Sequence, residues 1–98
     1  MKKYELINNT ELGRYEYHID EYRPHIEYKM KAGDIYLTHT RVPEQLRRQG
    51  IARMLVKDVL EDISKHNLKL VPLCGFVATY MKKNPESRSL LKKGIYIG

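Results

Sequence analysis

The stretch Val42-Pro43-Glu44-Gln45-Leu46-Arg47-Arg48-Gln49-Gly50-Ile51-Ala52 marks the point at which the hydrophobic pattern of the chain changes. Before this stretch apolar and polar residues alternate, and after it apolar residues recur every four positions, at Ile51, Leu55, Val59 and Ile63. The change predicts the end of a strand, a basic turn that contains glycine, and the N-terminus of a helix. Because the first N–H groups of a helix have no partner within it, this junction predicts a site for an anion such as a pyrophosphate.

The residues that follow this stretch predict a βαβ unit. The four-residue period continues to about Lys65-His66-Asn67 and is typical of an amphipathic helix with a broad apolar face. Leu68-Lys69-Leu70-Val71 is short and apolar, which indicates a buried strand ended by Pro72. A strand, a crossover helix and a second strand should be parallel and right-handed. A second helix is predicted from Cys74 to Lys83, followed by Asn84-Pro85 and a possible short element at Ser87 to Leu91.

The first 40 residues predict an antiparallel meander. Apolar residues alternate with polar ones in three segments, around Tyr15 to Ile19, Ile26 to Met30, and Ile35 to Thr40, and a shorter strand begins near Tyr4. The connections are short, as antiparallel neighbours require. In the third segment, alternation predicts that His39 shares a face with Ile35 and Leu37, whereas Thr38 and Thr40 face the opposite way. The fold class is therefore a compact α/β domain in which the meander and the βαβ unit share one mixed sheet, followed by the second helix.

Length and composition limit the classes of function. The chain has 98 residues, which predicts a single domain over 1–98, and a net charge of +6, which favours an anionic partner. No apolar run is long enough to span a bilayer, so no membrane role is predicted. One cysteine cannot form an internal disulfide, so a reducing, cytoplasmic location is expected. The histidines show no ligand spacing with each other or with the cysteine, so no metal is predicted.

The basic turn carries the residue types that a pyrophosphate requires. Gly50 lets the backbone approach a ligand closely because it has no Cβ, and Ala52 keeps the start of the helix narrow. Besides the N–H groups of the turn, Arg47, Arg48 or Arg53 can donate charge-assisted hydrogen bonds to the anion. The alternative is an ordinary loop-to-helix junction with solvated arginines. The strand before the turn and the strongly periodic helix after it favour the ligand site.

Arg47-Arg48-Gln49-Gly50-Ile51-Ala52 resembles the acyl-coenzyme A pyrophosphate motif of the GNAT superfamily of N-acyltransferases. Together with His39-Thr40-x-Val42-Pro43, Pro72-x-Cys74-x-Phe76 and Asn84-Pro85, it makes the chain similar to minimal single-domain GNAT-like proteins over about Ile35 to Leu91. The resemblance implies that acetyl-CoA is the acyl donor, with its pantetheine arm between the strands that end near Thr40-Val42 and Val71. It implies cofactor contacts at Thr40, Val42, Arg47, Arg48, Gln49, Gly50, Ile51, Ala52 and Asn84.

The resemblance also leads to three candidate catalytic residues. Many GNAT enzymes use a glutamate on the fourth strand as general base, but this chain has no carboxylate between Asp34 and Glu44. Cys74 is the expected substitute, because the first turn of a helix favours a thiolate that could accept the acetyl group. The alternative is that Cys74 is a small buried hydrophobic residue.

His39 and Tyr80 are the other two candidates. His39 lies late in the strand expected to line the cofactor and is a candidate base, or else a core histidine bonded to backbone. Tyr80 resembles the tyrosine that protonates the departing thiolate in many GNAT enzymes. It also stacks on Phe76 at i, i+4, which favours packing.

The predicted function is therefore acetyl transfer from acetyl-CoA to an amine, through an acetyl-Cys74 intermediate. The alternative is a coenzyme A-binding module or sensor with little turnover, because the usual glutamate and the acceptor-shaping helices of larger GNAT enzymes are missing. A nucleic-acid role is disfavoured, since the tyrosines occupy core-facing positions and no nucleic-acid motif is present. The acceptor stays open among small amines, protein lysines and protein N-termini, and an exposed sheet edge would allow pairing with a second copy.

Overall fold

A computed structural model describes residues 3–98 of the chain. Within this range the sheet has five strands: β1 Ile7–Asn9, β2 Arg14–Glu16, β3 His25–Lys31, β4 Asp34–Arg41 and β5 Lys69–Pro72. Two α-helices accompany them, α1 Ile51–Lys65 and α2 Gly75–Lys83, with 3₁₀ turns at Glu44–Leu46 and Pro85–Leu90. Within the same range, none of the helices has the length and hydrophobicity needed to cross a membrane.

The strands lie in the order in which they occur in the chain. Neighbours from β1 to β4 pair antiparallel, and β5 pairs parallel to β4 after the α1 crossover. This mixed sheet, with a meander joined to a βαβ unit and a helix after it, confirms the predicted fold class. The carboxyl ends of β4 and β5 consequently lie at the same edge of the sheet, and each is followed by the start of a helix.

Helix α1 packs on the sheet through the apolar positions that the four-residue period predicted. Ile51, Leu55, Val59 and Ile63 are all buried. Two hydrogen bonds fix the helix to the meander: the Tyr15 hydroxyl donates to Asp62 over 2.8 Å, and the Tyr17 hydroxyl donates to Asp58 over 2.5 Å. Burial and the adjacent carboxylates raise the pKa of both tyrosines, so the two hydroxyls stay protonated as donors.

A β-bulge in β4 corrects one prediction. His39 pairs with Glu27 and Leu37 pairs with Tyr28, so Thr38 is an extra residue opposite β3. One extra residue reverses the alternation of side chains along the rest of the strand. Thr40 is therefore opposite the buried Ile26, and His39 is exposed. The prediction that His39 shares a face with Ile35 and Leu37, opposite to Thr40, is wrong.

Several element boundaries also differ from the predictions. Strand β2 ends at Glu16, because the chain turns at Asp20 (φ 53°) and Ile19 forms an isolated bridge with Tyr22. Strand β1 starts at Ile7, later than the expected start near Tyr4. The short element expected at Ser87 to Leu91 is the 3₁₀ turn Pro85–Leu90. These differences lie away from the junction between β4 and α1.

Candidate functional site

The pairing between β4 and β5 stops before β4 ends. Leu37 and Pro72 form the last pair, whereas β4 continues to Arg41. The Leu37 carbonyl accepts hydrogen bonds from the N–H groups of Leu73, over 2.9 Å, and Cys74, over 3.0 Å, as the chain leaves β5. The end of β4 therefore has an edge that β5 does not cover. Clefts beyond the carboxyl ends of strands are the usual ligand sites of α/β sheets.

The turn between β4 and α1 has an unusual backbone. Leu46 is buried and anchors the first part of the turn. Arg48 (φ 65°) and Gly50 (φ 74°) both lie in the left-handed region. For a residue other than glycine this conformation costs about 1–2 kcal/mol. Strain retained at Arg48, next to a helix N-terminus, is typical of a ligand-binding backbone.

Helix α1 begins with unpaired N–H groups. Its first helical hydrogen bond runs from the N–H of Met54 to the carbonyl of Gly50 over 3.0 Å. Within residues 3–98 the N–H groups of residues 51–53 meet no protein acceptor, and Gly50 provides no side-chain cap. These donors and the helix dipole together produce a positive potential at the start of α1.

The turn and the end of β4 line a cleft of about 390 Å³, which we call the first cleft. Its lining residues are Thr40, Val42, Leu46, Arg47, Arg48, Gly50, Ile51, Ala52, Arg53 and Phe76. Seven of the nine predicted cofactor residues are in this set, whereas Gln49 is exposed beside it and Asn84 lies elsewhere. Three arginines and no carboxylate line the cleft within the described chain, so its chemistry suits a polyanion.

Cys74 lies directly behind the wall of the first cleft. Its Sγ is 3.2 Å from Oγ1 of Thr40, and Thr40 lines the cleft. The thiol is free and buried, and Cys74 occupies the N-cap position of α2 with its N–H bound to Leu37. The bulge in β4 creates this contact, because it turns Thr40 toward the core. Sequence alternation alone could not place these two residues together.

His39 lies on the other face of β4, within a polar cluster. The Nδ1 of His39 is 3.6 Å from Oε1 of Glu27. The other carboxylate oxygen, Oε2, accepts a hydrogen bond from Nε of Arg41 over 3.1 Å and lies 3.3 Å from Nε2 of His25. Burial opposes ionisation of Glu27, but the hydrogen bonds from Arg41 and His25 lower the pKa of this carboxyl. His39 is therefore paired with a carboxylate on the open face of the sheet, and Cys74 is on the helix-covered face.

A second cleft, of about 450 Å³, continues from the first along α2. It is lined by Arg53, Phe76, Thr79, Tyr80, Lys83 and Asn84. The Asn84 amide donates to the Tyr80 carbonyl over 2.8 Å, so this side chain stabilises the end of α2. Burial is the largest cause of the raised pKa of Tyr80, and nearby carboxylates raise it further. Tyr80 and Asn84 therefore lie together in the second cleft and not beside Cys74.

Comparisons with known proteins bear on the family to which the chain belongs. Residues 14–90 match the model of the GCN5-related N-acetyltransferase family. Protein NATD1 of chicken and of human are each 39% identical to this chain over 49 residues, a match that covers 50% of this chain and 44% and 43% of theirs. Protein NATD1 of zebrafish is 33% identical over 54 residues, which cover 55% of this chain and 49% of that protein. The match thus spans less than half the length of these relatives.

One solved structure shares the whole fold. The NMR structure of a GCN5-like protein from Staphylococcus aureus superimposes with a TM-score of 0.69 at 24% identity, covering 94% of this chain and 91% of that chain. At this identity the structural likeness shows the fold alone. The match to the family model covers more than half of the chain, from β2 to the end of the 3₁₀ turn after α2, and it shows the family. The chain belongs to the GCN5-related N-acetyltransferase family.

Proposed function

We propose that this chain binds acetyl-CoA in the first cleft and transfers the acetyl group to an amine. Members of the family generally use acetyl-CoA as acyl donor. The observation that carries the proposal is the start of α1, where unpaired N–H groups, two left-handed residues and three arginines surround one cleft. Successive backbone N–H groups in a turn that contains left-handed residues can form an anion-binding concavity.

The residues present fit both parts of the donor. The pyrophosphate would accept hydrogen bonds from the N–H groups of residues 51–53 and pair with Arg47 and Arg48. A Cβ added at Gly50 would meet no protein atom within 4 Å, so the backbone there borders open space. The pantetheine amides would pair with the edge of β4 beyond Leu37, which β5 does not cover.

Cys74 is the nucleophile in the chemistry that we propose. Its sulfur attacks the thioester carbonyl, a new bond from carbon to the Cys74 sulfur forms, and the bond to the sulfur of coenzyme A breaks. The proton of Cys74 ends on the departing sulfur, so free coenzyme A is released. The amine then attacks the acetyl-Cys74 carbonyl, and the amide forms as the thiol regains a proton from the amine. The Thr40 hydroxyl lies 3.2 Å from the cysteine sulfur, where it would donate a hydrogen bond to the thiolate once the thiol loses its proton.

The first step as we propose it does not require His39 or Tyr80. His39 lies on the open face of the sheet beside Glu27, where it could meet only an acceptor that approaches from that side. Tyr80 lines the second cleft, with a raised pKa that keeps its hydroxyl protonated. The acid and base roles expected for these residues remain predictions.

A coenzyme A-binding module with little turnover is the second candidate function. One observation favours it: Cys74 is buried behind Thr40 and is not among the residues that line the first cleft. Reaction at its sulfur requires Thr40 or the start of α2 to move. If such motion does not occur, the chain binds the donor without accepting its acetyl group.

Binding and transfer are tested separately. Acetyl-CoA should raise the melting temperature of the protein, because a ligand that binds only the folded state stabilises it by mass action. Intact-mass spectrometry after incubation with acetyl-CoA should detect one added acetyl group, which disappears in Cys74→Ala. We expect amine acetylation to fall by roughly a hundredfold or more in this variant, since the two-step route is lost.

Each outcome distinguishes the two candidates. A thermal shift without an adduct, and with no acetylation above background, would contradict the Cys74 mechanism and favour the binding module. Acetylation that persists in Cys74→Ala would show direct attack by the amine instead. The absence of a thermal shift with either acetyl-CoA or coenzyme A would contradict the proposal as a whole.

A further inference from the structure

A cleft of about 410 Å³, which we call the far cleft, lies at the opposite end of β4 from the first cleft. Ile35, near the start of β4, lines the far cleft, whereas Thr40, which contacts Cys74, lies near the end of the same strand. At about 3.3 Å per residue, the strand separates these two residues by roughly 16 Å. The far cleft is therefore distinct from the proposed site of acetyl transfer. Its lining residues are Asn8, Thr10, Tyr15, Tyr28, Met30, Ile35, Asp62, His66 and Leu68.

Much of the wall of the far cleft is aromatic and apolar. The rings of Tyr15 and Tyr28 pack against each other, with centroids 5.2 Å apart and planes tilted by 44°. The Tyr28 hydroxyl donates to the side chain of Asn8 over 2.6 Å, which fixes the ring at the cleft. Met30 is 50% exposed, which is high for a large apolar residue. Aromatic rings beside a flexible thioether form a surface suited to another aromatic ring.

Asp62 supplies a carboxylate to this apolar wall. Its Oδ2 accepts the hydrogen bond from the Tyr15 hydroxyl over 2.8 Å. Nδ1 of His66 donates to the backbone carbonyl of Asp62 over 2.9 Å and lies 3.5 Å from Oδ1. Within residues 3–98, Oδ1 accepts no hydrogen bond, and no lysine or arginine lines the far cleft. A carboxylate oxygen beside aromatic rings is suited to an ammonium group, through charge and cation–π attraction.

The charge around Asp62 is opposite to that of the chain as a whole. An adjoining cleft shares Asp62 and is lined by two further carboxylates, of Asp58 and Glu61, together with Leu6 and a single lysine, Lys65. The net charge of the chain is +6, so this end of α1 is a local exception. Such a region attracts a cation, whereas the first cleft, with its three arginines, repels one.

We propose that the far cleft binds a primary aromatic amine, with the ammonium group at Asp62 and the ring against Tyr15, Tyr28 and Met30. This amine is a second ligand and not the acetyl acceptor, because it lies too far from Cys74 to receive the acetyl group. The inference does not depend on binding of acetyl-CoA at the start of α1.

An NMR titration of the ¹⁵N-labelled protein with three probes tests the charge and the ring separately: 2-phenylethylamine, 2-phenylethanol and butylamine. We expect 2-phenylethylamine to cause saturable shifts of the amide signals of Tyr28, Met30 and Leu68. The alcohol lacks the ammonium group and butylamine lacks the ring, so each should bind about tenfold more weakly.

Asp62→Asn removes the charge and keeps an oxygen that can accept from Tyr15. This variant should bind 2-phenylethylamine about tenfold more weakly and 2-phenylethanol with unchanged affinity. Asp58→Asn is the matched control, because Asp58 also lies on α1 and accepts a tyrosine hydroxyl, that of Tyr17, but does not line the far cleft. Thermal unfolding of both variants checks that the fold is retained.

Several results would overturn the inference. They are equal affinity of the wild-type protein for 2-phenylethylamine and either of the other probes, amide shifts confined to residues outside the far cleft, and equal loss of affinity in Asp62→Asn and Asp58→Asn. Absence of saturable shifts with 2-phenylethylamine would overturn it as well. A failure of acetyl-CoA to bind would contradict the proposed function and leave this inference standing, because the two ligands occupy separate clefts.

Discussion

The two α-helices begin in contrasting ways at the same edge of the sheet. Helix α1 follows Gly50 in the left-handed region, and its first turn borders a cleft with three arginines. Helix α2 follows Cys74 in an extended conformation, and the N–H of Cys74 is bound to the Leu37 carbonyl of β4. Over the described residues neither helix has a side-chain cap. The first helix start is open to a ligand, and the second is closed by the protein.

In our proposal the two helix starts therefore have different roles. Open N–H groups and cations can bind an anion without rearrangement, so the start of α1 is suited to holding the donor. The start of α2 holds Cys74, a possible nucleophile, so our proposal assigns the chemical step to it. Substitutions at α1 should therefore change affinity, and substitutions around α2 should change the rate of transfer.

Arg48→Gly should produce the largest effect at the α1 start. Glycine relieves the left-handed strain but removes a charged donor, so affinity for acetyl-CoA should fall by about 10- to 100-fold, with folding stability changed by less than about 1 kcal/mol. Ala32→Gly is the matched control, because Ala32 also has a positive φ (52°) but lies in the turn between β3 and β4. Calorimetric titration measures affinity, and urea unfolding measures stability. Equal affinities of the two variants would show that Arg48 does not contact the donor.

Gly50→Ala should have a smaller effect on affinity and a measurable effect on stability. The left-handed backbone disfavours alanine by about 1 kcal/mol, although the new Cβ meets no protein atom within 4 Å. Gly33→Ala is matched in both respects, with φ +84° and no atom within 4 Å. Both variants should therefore lose similar stability in urea unfolding, and only Gly50→Ala should bind acetyl-CoA several-fold more weakly. A similar affinity loss in Gly33→Ala would assign the effect to folding.

The α1 start could be predicted from sequence because its signals are local. The change of period at Val42 and the glycine ahead of Ile51 define a helix N-terminus without knowledge of the rest of the chain. The parallel pairing of β4 and β5 follows from the handedness rule for crossovers. Seven of the nine predicted cofactor residues consequently line the first cleft.

The surroundings of Cys74 depend on contacts between distant segments. The sequence therefore predicted the wrong faces for His39 and Thr40. The bulge at Thr38 is set by the register between β3 and β4, and a one-residue shift exchanges the faces of His39 and Thr40. The second cleft depends on how α2 packs beside α1, which brings Lys83 and Arg53 to one groove. Neither feature has a signal in the spacing of the residues.

Thr40→Val tests the α2 start and should give the smallest effect. Valine keeps the shape of threonine but removes the hydroxyl that lies 3.2 Å from Sγ of Cys74. A hydrogen bond of this kind contributes about 1 kcal/mol, so formation of acetyl-Cys74 should slow by about fivefold at saturating acetyl-CoA. Thr38→Val is the control, because the Thr38 hydroxyl donates to the Glu27 carbonyl and lies outside the contact with Cys74. Time-resolved intact-mass spectrometry follows the adduct, and an unchanged rate in Thr40→Val would limit Thr40 to a packing role. A rate that falls equally in both variants would instead assign the effect to the bulge, which positions Thr40 and Cys74 together.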